Sequence, residues 1–207
     1  MMNKLLIIGA SGHGKVIADI AKQSGEWEEV LFIDDKSEQT ETLGYKVVGK
    51  VKDLWKYIDE CACVVGIGDN LIRQSVQEDL ENKGATITTL VHPNAIIGSN
   101  VHIGKGSVVM AGVVINSGSR IGKGCIINTS STLDHDNELG NFVHVSPGSH
   151  LAGTVTVGDK SWLGIGCTVS NNIKITDSCQ LGAGAVVVKD IDEIGTYIGV
   201  PARRVHL

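Results

Sequence analysis

The chain of 207 residues has few aromatic residues, three prolines, no basic excess and no long apolar run. Its longest early apolar stretch, residues 5–8, is too short for a signal-peptide core or a membrane span, so we expect a cytoplasmic protein without membrane insertion. A net charge of −5 and the lack of a long basic run argue against a nucleic-acid partner. Aromatics form 4% of the chain against 26 glycines, so we expect tight backbone turns to shape much of the fold.

What the chain does contain is a strict period of six. From residue 97 to residue 187 every sixth position is aliphatic, a period that fits neither an amphipathic helix nor a hairpin strand. It is typical of a parallel β-helix in which three hexads form one triangular coil, so residues 18 apart stack. The repeat positions are Ile97, Ile103, Val109, Ile115, Ile121, Ile127, Leu133, Leu139, Val145, Leu151, Val157, Leu163, Val169, Ile175, Leu181 and Val187.

The repeat also predicts where the cysteines lie. Their number, five, is odd, and their spacing does not match a zinc site, so no metal is expected. Cys125, Cys167 and Cys179 each follow a repeat aliphatic by four residues, a position that elsewhere holds mostly Ser, Val or Ala. We therefore expect three buried thiols that act as small apolar groups. Cys61 and Cys63 border an apolar strand, and packing is the expected role there too.

Four glycines occupy one column of the repeat. Gly104, Gly122, Gly140 and Gly158 each follow a repeat aliphatic directly and are 18 residues apart. This spacing predicts that one corner of the coil adopts a backbone conformation that favours glycine.

The first 91 residues lack the hexad. Apolar runs at 4–8, 30–33 and 64–68 and a last strand at 86–91 alternate with helical patterns, one ending at Gly25 and one covering about 70–82. Alternating strands and helices predict a small parallel α/β sheet of Rossmann-like type. Because His92-Pro93 marks the change of pattern, we predict two domains, residues 1–91 and 92–207.

A glycine-rich turn follows the first strand. Residues 9–14 give G-x-x-G-x-G, which differs from the dinucleotide fingerprint G-x-G-x-x-G. These glycines could serve the backbone alone, or the turn and the following helix N-terminus could bind a phosphate. Asp34 and Asp35 end the next strand, where they could accept hydrogen bonds from a nucleotide or form a solvated turn. Together they suggest a nucleotide-linked ligand that is not a redox cofactor.

One hexad is unusually polar. His135 stands between Asp134 and Asp136, an arrangement that favours an oriented basic imidazole over a surface histidine. His144 follows nine residues later, half a coil away, so within one chain the two histidines should lie more than ~10 Å apart. They can share a site if three prisms associate around a three-fold axis.

These residues resemble the hexapeptide-repeat sugar acetyltransferases of the NeuD/PglD type. Three motifs carry the likeness over essentially the whole chain: residues 9–14 with 33–35, residues 128–146, and residues 199–203. The resemblance implies a Rossmann-like domain followed by a left-handed β-helix, a homotrimer with active sites between subunits, and acetyl-CoA as cosubstrate. It also implies N-acetylation of a nucleotide-linked 4-amino-4,6-dideoxy sugar, most simply a UDP-sugar, by direct transfer.

The resemblance assigns roles to individual residues. His135 matches the general base and Asp136 its acidic neighbour. His144 matches a residue at the acetyl end of acetyl-CoA, near the thioester oxygen, and Gly153 and Ile165 match the pantetheine groove. The positions that match the nucleotide-sugar pocket are Ser11, Gly12, His13, Asp34, Asp35 and Gly68.

Three other functions remain. Within the family the alternative is O-acetylation of sialic acid or a related sugar. A metal-dependent hydratase on the same β-helix needs three converging histidines, whereas His144 and His150 are one hexad apart and lack a third partner. A non-catalytic scaffold with a nucleotide-sensing domain would bind nucleotide without binding coenzyme A.

Overall fold

The computed structural model describes residues 2–36 and 38–205. The chain forms two compact units, Met1–Pro93 and Asn94–Leu207. The roles that the resemblance implies for the predicted domains, nucleotide-sugar binding by residues 1–91 and acyl transfer by residues 92–207, stay predictions. Within the described residues, no helix combines the length and apolarity needed to cross a membrane.

The N-terminal unit is built on a six-stranded sheet in the order β3-β4-β2-β1-β5-β6. All neighbouring strands are parallel except the β3–β4 hairpin. The central strands are continuous apolar runs because helices cover the faces of such sheets. The elements are β1 (Lys4–Ile8), α1 (Gly12–Ser24), β2 (Glu29–Ile33), β3 (Glu41–Thr42), β4 (Tyr45–Gly49), a 3-10 helix (Val51–Lys56), β5 (Cys61–Val65), α2 (Asn70–Asn82), β6 (Thr86–Ile87) and β7 (Leu90–Val91).

Two features of this unit differ from the sequence-based expectation. The β3–β4 hairpin was not predicted; it turns through Leu43 and Gly44, whose φ angles are 52° and 79°. A branched residue such as Leu is costly in that region, so no familiar turn signature marks the hairpin. The single strand expected over residues 86–91 is two short strands, β6 and β7.

The C-terminal unit is a parallel β-helix with three faces, and strands 18 residues apart pair, as in Val108↔Ile126. Face 1 contains Ile96–Ile97, Val114–Ile115, Thr132–Leu133, His150–Leu151, Thr168–Val169 and Val186–Val187. Face 2 contains His102–Ile103, Arg120–Ile121, Glu138–Leu139, Thr156–Val157 and Lys174–Ile175. Face 3 contains Val108–Val109, Ile126–Ile127, His144–Val145, Trp162–Leu163, Gln180–Leu181, Thr196–Ile198 and the antiparallel Arg203–Val205.

The corners of the coil have a regular backbone. In each hexad the third residue after the aliphatic has a positive φ, from Asn100 to Gly184. The glycine column is not at these positions, so the predicted glycine-favouring conformation at Gly104, Gly122, Gly140 and Gly158 is wrong. The residues with positive φ are Asn100, Gly106, Gly112, Gly118, Gly124, Ser130, Asp136, Phe142, Gly148, Thr154, Lys160, Gly166, Asn172, Ser178 and Gly184.

The glycine column is explained by space between stacked coils. A Cβ added at Gly140 would lie 2.3 Å from Oδ1 of Asp159, and one at Gly122 would lie 2.5 Å from the Gly140 carbonyl oxygen. The carboxylate of Asp159 occupies this space because it accepts a 2.7 Å hydrogen bond from the backbone N–H of Asn141 one coil earlier. A side chain at these positions would collide with the next coil.

The interior of the prism is apolar with small residues between the aliphatics. Cys125, Cys167 and Cys179 are buried and free, as expected for small core residues. Burial raises the pKa of Cys167 to about 11, which keeps this thiol protonated and unreactive at neutral pH.

Candidate active site

His135 and Asp136 form a hydrogen-bonded pair at a corner between faces 1 and 2. His135 Nδ1 lies 2.9 Å from Oδ2 of Asp136, and more than half of each side chain is exposed. Asp136 has the positive φ of its hexad position, 57°, which turns its carboxylate beside the preceding imidazole. With Nδ1 bonded to a carboxylate, the neutral ring carries its proton there and presents Nε2 as a base.

Asp134 supports the same turn from the other side. Its Oδ1 accepts hydrogen bonds from the His135 backbone N–H at 2.9 Å and from the Asn116 side chain at 2.8 Å. These two hydrogen bonds, that of Asn116 first, lower the pKa of Asp134, so its carboxylate is ionised at neutral pH. The hydrogen bond to Asp136, followed by the charges of both carboxylates, raises the pKa of His135 above its ordinary 6.5.

Gly153 lies directly against the imidazole. A Cβ added at Gly153 would be 2.5 Å from Nε2 of His135 and 2.6 Å from its Cε1. Gly153 is stacked one coil after His135 at the same corner, and the Thr154 N–H donates to the His135 carbonyl at 2.9 Å. The missing side chain therefore provides the space that the imidazole occupies.

His144 has a different environment on face 3. It is 8% exposed and stacks on Trp162, with ring centroids 5.1 Å apart and planes at 14°. Asn128 Oδ1 accepts from the Thr129 N–H at 2.8 Å, which leaves its Nδ2 as the donor to His144 Nε2 at 3.2 Å. Nε2 is thus the acceptor in this contact.

Within one chain, the structure brings together part of the predicted set. His135, Asp136 and Gly153 meet at one corner, whereas His144 lies on face 3 and Ile165, 56% exposed, at a corner between faces 3 and 1. Contact of His144, Gly153 and Ile165 with acetyl-CoA stays a prediction.

In the N-terminal unit the glycines that follow β1 and β5 divide into two groups. Gly9, with φ 110°, Gly14 and Gly66 serve backbone packing, since a Cβ at Gly14 would be 1.9 Å from the Gly9 carbonyl oxygen and one at Gly66 would be 2.8 Å from Gly14 Cα. By contrast, a Cβ at Gly12 or Gly68 would meet open space among the described residues. The backbone explanation therefore accounts for part of the loop and leaves Gly12 and Gly68 available to a ligand.

The two helices of this unit begin differently. Asp69 caps α2 by accepting from the backbone N–H groups of Leu71 and Ile72 at 3.0 and 2.9 Å. At α1 the exposed side chain of Ser11 makes no cap hydrogen bond within the described part of the chain, and the first turn has no acidic residue. His13 lies half-buried in that first turn. Of the two N-termini, that of α1 is the better match to a phosphate.

The acidic pair after β2 fixes the surrounding loops. Asp34 accepts from the N–H of Ala10 and from that of Lys36, both at 2.7 Å, so it ties the glycine turn to the end of β2. Asp35 accepts from the Val51 N–H at 2.9 Å. The ends of β1, β2 and β5 are the carboxyl edge of the sheet, where ligands bind in open α/β folds, so Ser11, Asp34 and Gly68 lie at one edge.

The comparisons with known proteins cover both units. A family model described as the PglD N-terminal domain matches residues 4–80. The acetyltransferase domain of PglB from Neisseria gonorrhoeae FA1090, solved in complex with acetyl coenzyme A, is 38% identical with a TM-score of 0.96, over 99% of this chain and 100% of that chain. PerB from Caulobacter crescentus, solved with CoA and GDP-perosamine, is 36% identical with a TM-score of 0.92, over 100% of this chain and 99% of that one.

The chain belongs to the PglD-type sugar acetyltransferases. A curated relative, the UDP-N-acetylbacillosamine N-acetyltransferase of Bacillus subtilis (strain 168), is 34% identical over 113 residues, 53% of this chain and 52% of that protein. The match thus spans about half the length of that curated relative. The predicted family, enzyme class and fold class, a Rossmann-like domain followed by a left-handed β-helix, are confirmed.

Two buried residues of this PglD-type chain were missed. Arg73 in α2 is 1% exposed, and its guanidinium donates to the carbonyls of Ile67 and Gly68 at 3.1 and 2.9 Å. It therefore fixes the loop that carries the predicted ligand contact Gly68. A signal existed, because Arg73, Gln77 and Leu80 share the buried face at helical spacing. The second residue is Asn137, a buried amide inside the corner that carries His135.

A metal-dependent hydratase would need side chains that converge on one metal ion. Among residues 2–36 and 38–205 no three or more His, Cys, Asp or Glu side chains form a group that could hold a metal ion. His144 and His150 lie on different faces, 3 and 1, and His150 Nδ1 pairs with the Thr132 hydroxyl at 2.9 Å.

Proposed function

We propose that this chain transfers the acetyl group of acetyl-CoA to the amino group of a nucleotide-linked 4-amino-4,6-dideoxy sugar, with His135 as general base. The observation that carries the proposal is the His135–Asp136 pair, in which a more than half exposed imidazole at a corner of the β-helix has Nδ1 bonded to a carboxylate and Nε2 left as the base. Support comes from relatives: the PglB domain is solved with acetyl coenzyme A, and PerB with CoA and GDP-perosamine.

The chemistry is a single acyl transfer. The amine attacks the thioester carbon, a C–N bond forms, and the C–S bond breaks to release coenzyme A. Nε2 of His135 takes the proton that the amine loses and can return it to the departing thiolate. Asp136 holds the ring and stabilises its charged form. No acyl-enzyme is needed: the cysteines of the β-helix are buried, and burial raises the pKa of Cys167 to about 11.

The sugar nucleotide would bind at the carboxyl edge of the N-terminal sheet. The uncapped N-terminus of α1 and the open positions at Gly12 and Gly68 suit a diphosphate and a closely approaching ligand. We keep UDP as the expected nucleotide. The relatives named above include both a UDP-sugar and a GDP-sugar enzyme.

We further propose a homotrimer with active sites between subunits. Within one chain His135 lies at the corner opposite face 3, which carries His144. A site that uses both histidines would need two chains, and a three-fold ring of prisms would create such sites. The cytoplasmic location stays part of this proposal.

The test is release of free coenzyme A from acetyl-CoA with a panel of UDP-, dTDP- and GDP-linked 4-amino sugars and with sialic acid. We expect turnover with an amino-sugar nucleotide. Turnover with sialic acid alone would replace the proposal by O-acetylation. Nucleotide binding without affinity for coenzyme A would favour a non-catalytic scaffold, and mass measurement of the assembly in solution checks the trimer.

A further inference from the structure

An amide lies inside the corner that carries His135. Asn137 occupies the interior position four residues after Leu133, and its side chain is 0% exposed. Elsewhere this position holds mostly Ser, Cys, Val or Ala. A buried primary amide costs stability unless each of its polar groups is hydrogen-bonded, so its contacts indicate what it does.

The Asn137 side chain connects two consecutive coils. Its Nδ2 donates to the carbonyl of Asp134 at 2.6 Å and to that of Ala152 at 3.1 Å. Its Oδ1 accepts from the Val155 N–H at 3.2 Å. Two carbonyls and one N–H define the orientation of the amide, since a flipped amide would oppose oxygen to oxygen. Asn137 therefore bonds the turn that carries His135 to the turn that carries Gly153.

Serines at the same hexad position show how the contacts of Asn137 differ from those of a smaller side chain. Ser107 donates to the Gly122 carbonyl at 2.8 Å and accepts from the Cys125 N–H at 2.9 Å. Both contacts go to the next coil, like those of Asn137 to Ala152 and Val155. Ser131 instead donates to the carbonyl of Asn128 in its own turn at 2.8 Å. A hydroxyl has one donor, whereas the amide of Asn137 has two and bonds both the next coil and the Asp134 carbonyl of its own turn.

The Asp134 carbonyl thereby receives two buried side-chain donors. One is Asn137 Nδ2, and the other is the Ser119 hydroxyl of the preceding coil at 3.0 Å. Asp134 immediately precedes His135, whose Nδ1 contacts Asp136 and whose ring lies on Gly153. We propose that Asn137 is a positioning residue that holds the turn 134–137 over Gly153 and so fixes the His135–Asp136 pair.

The test uses Asn137→Ser, which places at this position the residue found at Ser107 and Ser119. The serine has a single hydroxyl donor, so it can bond the Ala152 carbonyl, as Ser107 bonds that of Gly122, or the Asp134 carbonyl, as Ser131 bonds that of Asn128, but not both. We expect thermal stability close to that of the native chain, a kcat about tenfold lower, and KM values within about twofold. We also expect the His135 imidazole, followed by NMR, to titrate at lower pH because its contact with Asp136 is no longer fixed.

The matched control is Ser107→Val, which removes buried hydrogen bonds at the same interior position far from His135. It should lower stability and leave kcat and the His135 titration unchanged. A native kcat and titration in Asn137→Ser, or an equal change in Ser107→Val, would overturn the inference. Should Asn137→Ser fail to fold, Asn137→Cys takes its place and supplies the thiol found at Cys125. A native kcat and His135 titration in that variant, or an equal change in Ser107→Val, would likewise overturn the inference.

The kinetic readout rests on the proposed function, but the titration does not. NMR of the imidazole needs no substrate, so it reports on the position of the ring even if the chain does not acetylate sugars. A full turnover in His135→Ala would end the proposed function and leave the titration result standing. A shifted kcat with an unshifted titration would end this inference alone.

Discussion

His135 and His144 differ in every physical respect that decides what an imidazole can do. His135 lies at a corner, more than half exposed, with a carboxylate on Nδ1 and a glycine beneath its ring. His144 lies on a face, 8% exposed, stacked on Trp162 and bonded through Nε2 to the Asn128 amide. A side chain at a corner of the β-helix is exposed to solvent, whereas a side chain on a face is stacked between those of the neighbouring coils.

The comparison shows that position in the hexad decides the kind of role. The residue two places after an aliphatic belongs to a turn, where it can meet solvent and its own neighbours in sequence. The residue just before an aliphatic belongs to a strand, where its neighbours are 18 residues away, as Trp162 is for His144. We therefore expect proton transfer from the first histidine and packing or ligand contact from the second.

The largest effect is expected for His135→Ala. Loss of a general base lowers turnover about 10²- to 10⁴-fold, and because the side chain is exposed the fold should survive. Steady-state release of coenzyme A and thermal unfolding measure the two quantities. The control is His102→Ala, an exposed histidine on face 2, which should retain native turnover. Near-native turnover in His135→Ala would reverse the comparison.

Gly153→Ala should give the next largest effect. The new Cβ would displace the imidazole, the movable end of a side chain, so we expect about a 100-fold loss of kcat with little loss of stability. Gly104→Ala provides the contrast, because its Cβ would lie 2.5 Å from backbone atoms of the next coil. That variant should unfold at lower temperature. A fully active Gly153→Ala would show that Nε2 does not act from the observed position.

Asp136→Asn should lower kcat about tenfold and change its pH dependence. Asparagine tolerates the positive φ of this position, so the turn is kept while the charge is lost. The carboxylate raises the pKa of His135, and activity that needs the neutral ring is lost as pH falls through that raised value. Without the charge the pKa falls, so the acid limb of kcat/KM moves to lower pH. An acid limb that stays in place or moves upward would contradict this.

Much of the fold and of the corner site follows from the sequence. The period of six predicted the β-helix because each coil repeats one geometry, and Leu133, Val145 and Leu151 are buried as the repeat requires. His135 and Asp136 were recognisable because their contact is between neighbours in the chain. The contact of Gly153 with His135 was also accessible in principle, since the two residues are one 18-residue coil apart.

The remaining features depend on contacts that no local pattern encodes. The glycine column reflects space taken by side chains such as Asp159 from the next coil, which a count of glycines cannot separate from a backbone preference. The orientation of His144 depends on Asn128 and Trp162, 16 and 18 residues away. For Arg73 the helical spacing indicates a buried face, but its hydrogen bonds to the carbonyls of Ile67 and Gly68, which outweigh the usual preference of arginine for exposure, are not part of that pattern.

The smallest effect on turnover is expected for Trp162→Leu. The indole stacks on His144 and donates to the Ser146 hydroxyl at 2.9 Å, contacts that together stabilise face 3 by about 1 kcal/mol. We expect a lower unfolding temperature, a higher KM for acetyl-CoA if His144 contacts this substrate, and a kcat within about twofold. Trp55→Leu is the matched control, since Trp55 is 69% exposed in the other unit. The face-3 environment of His144 should not change the proton affinity of His135, so the acid limb of kcat/KM should stay in place. A shifted acid limb in Trp162→Leu would show that the two histidines are coupled.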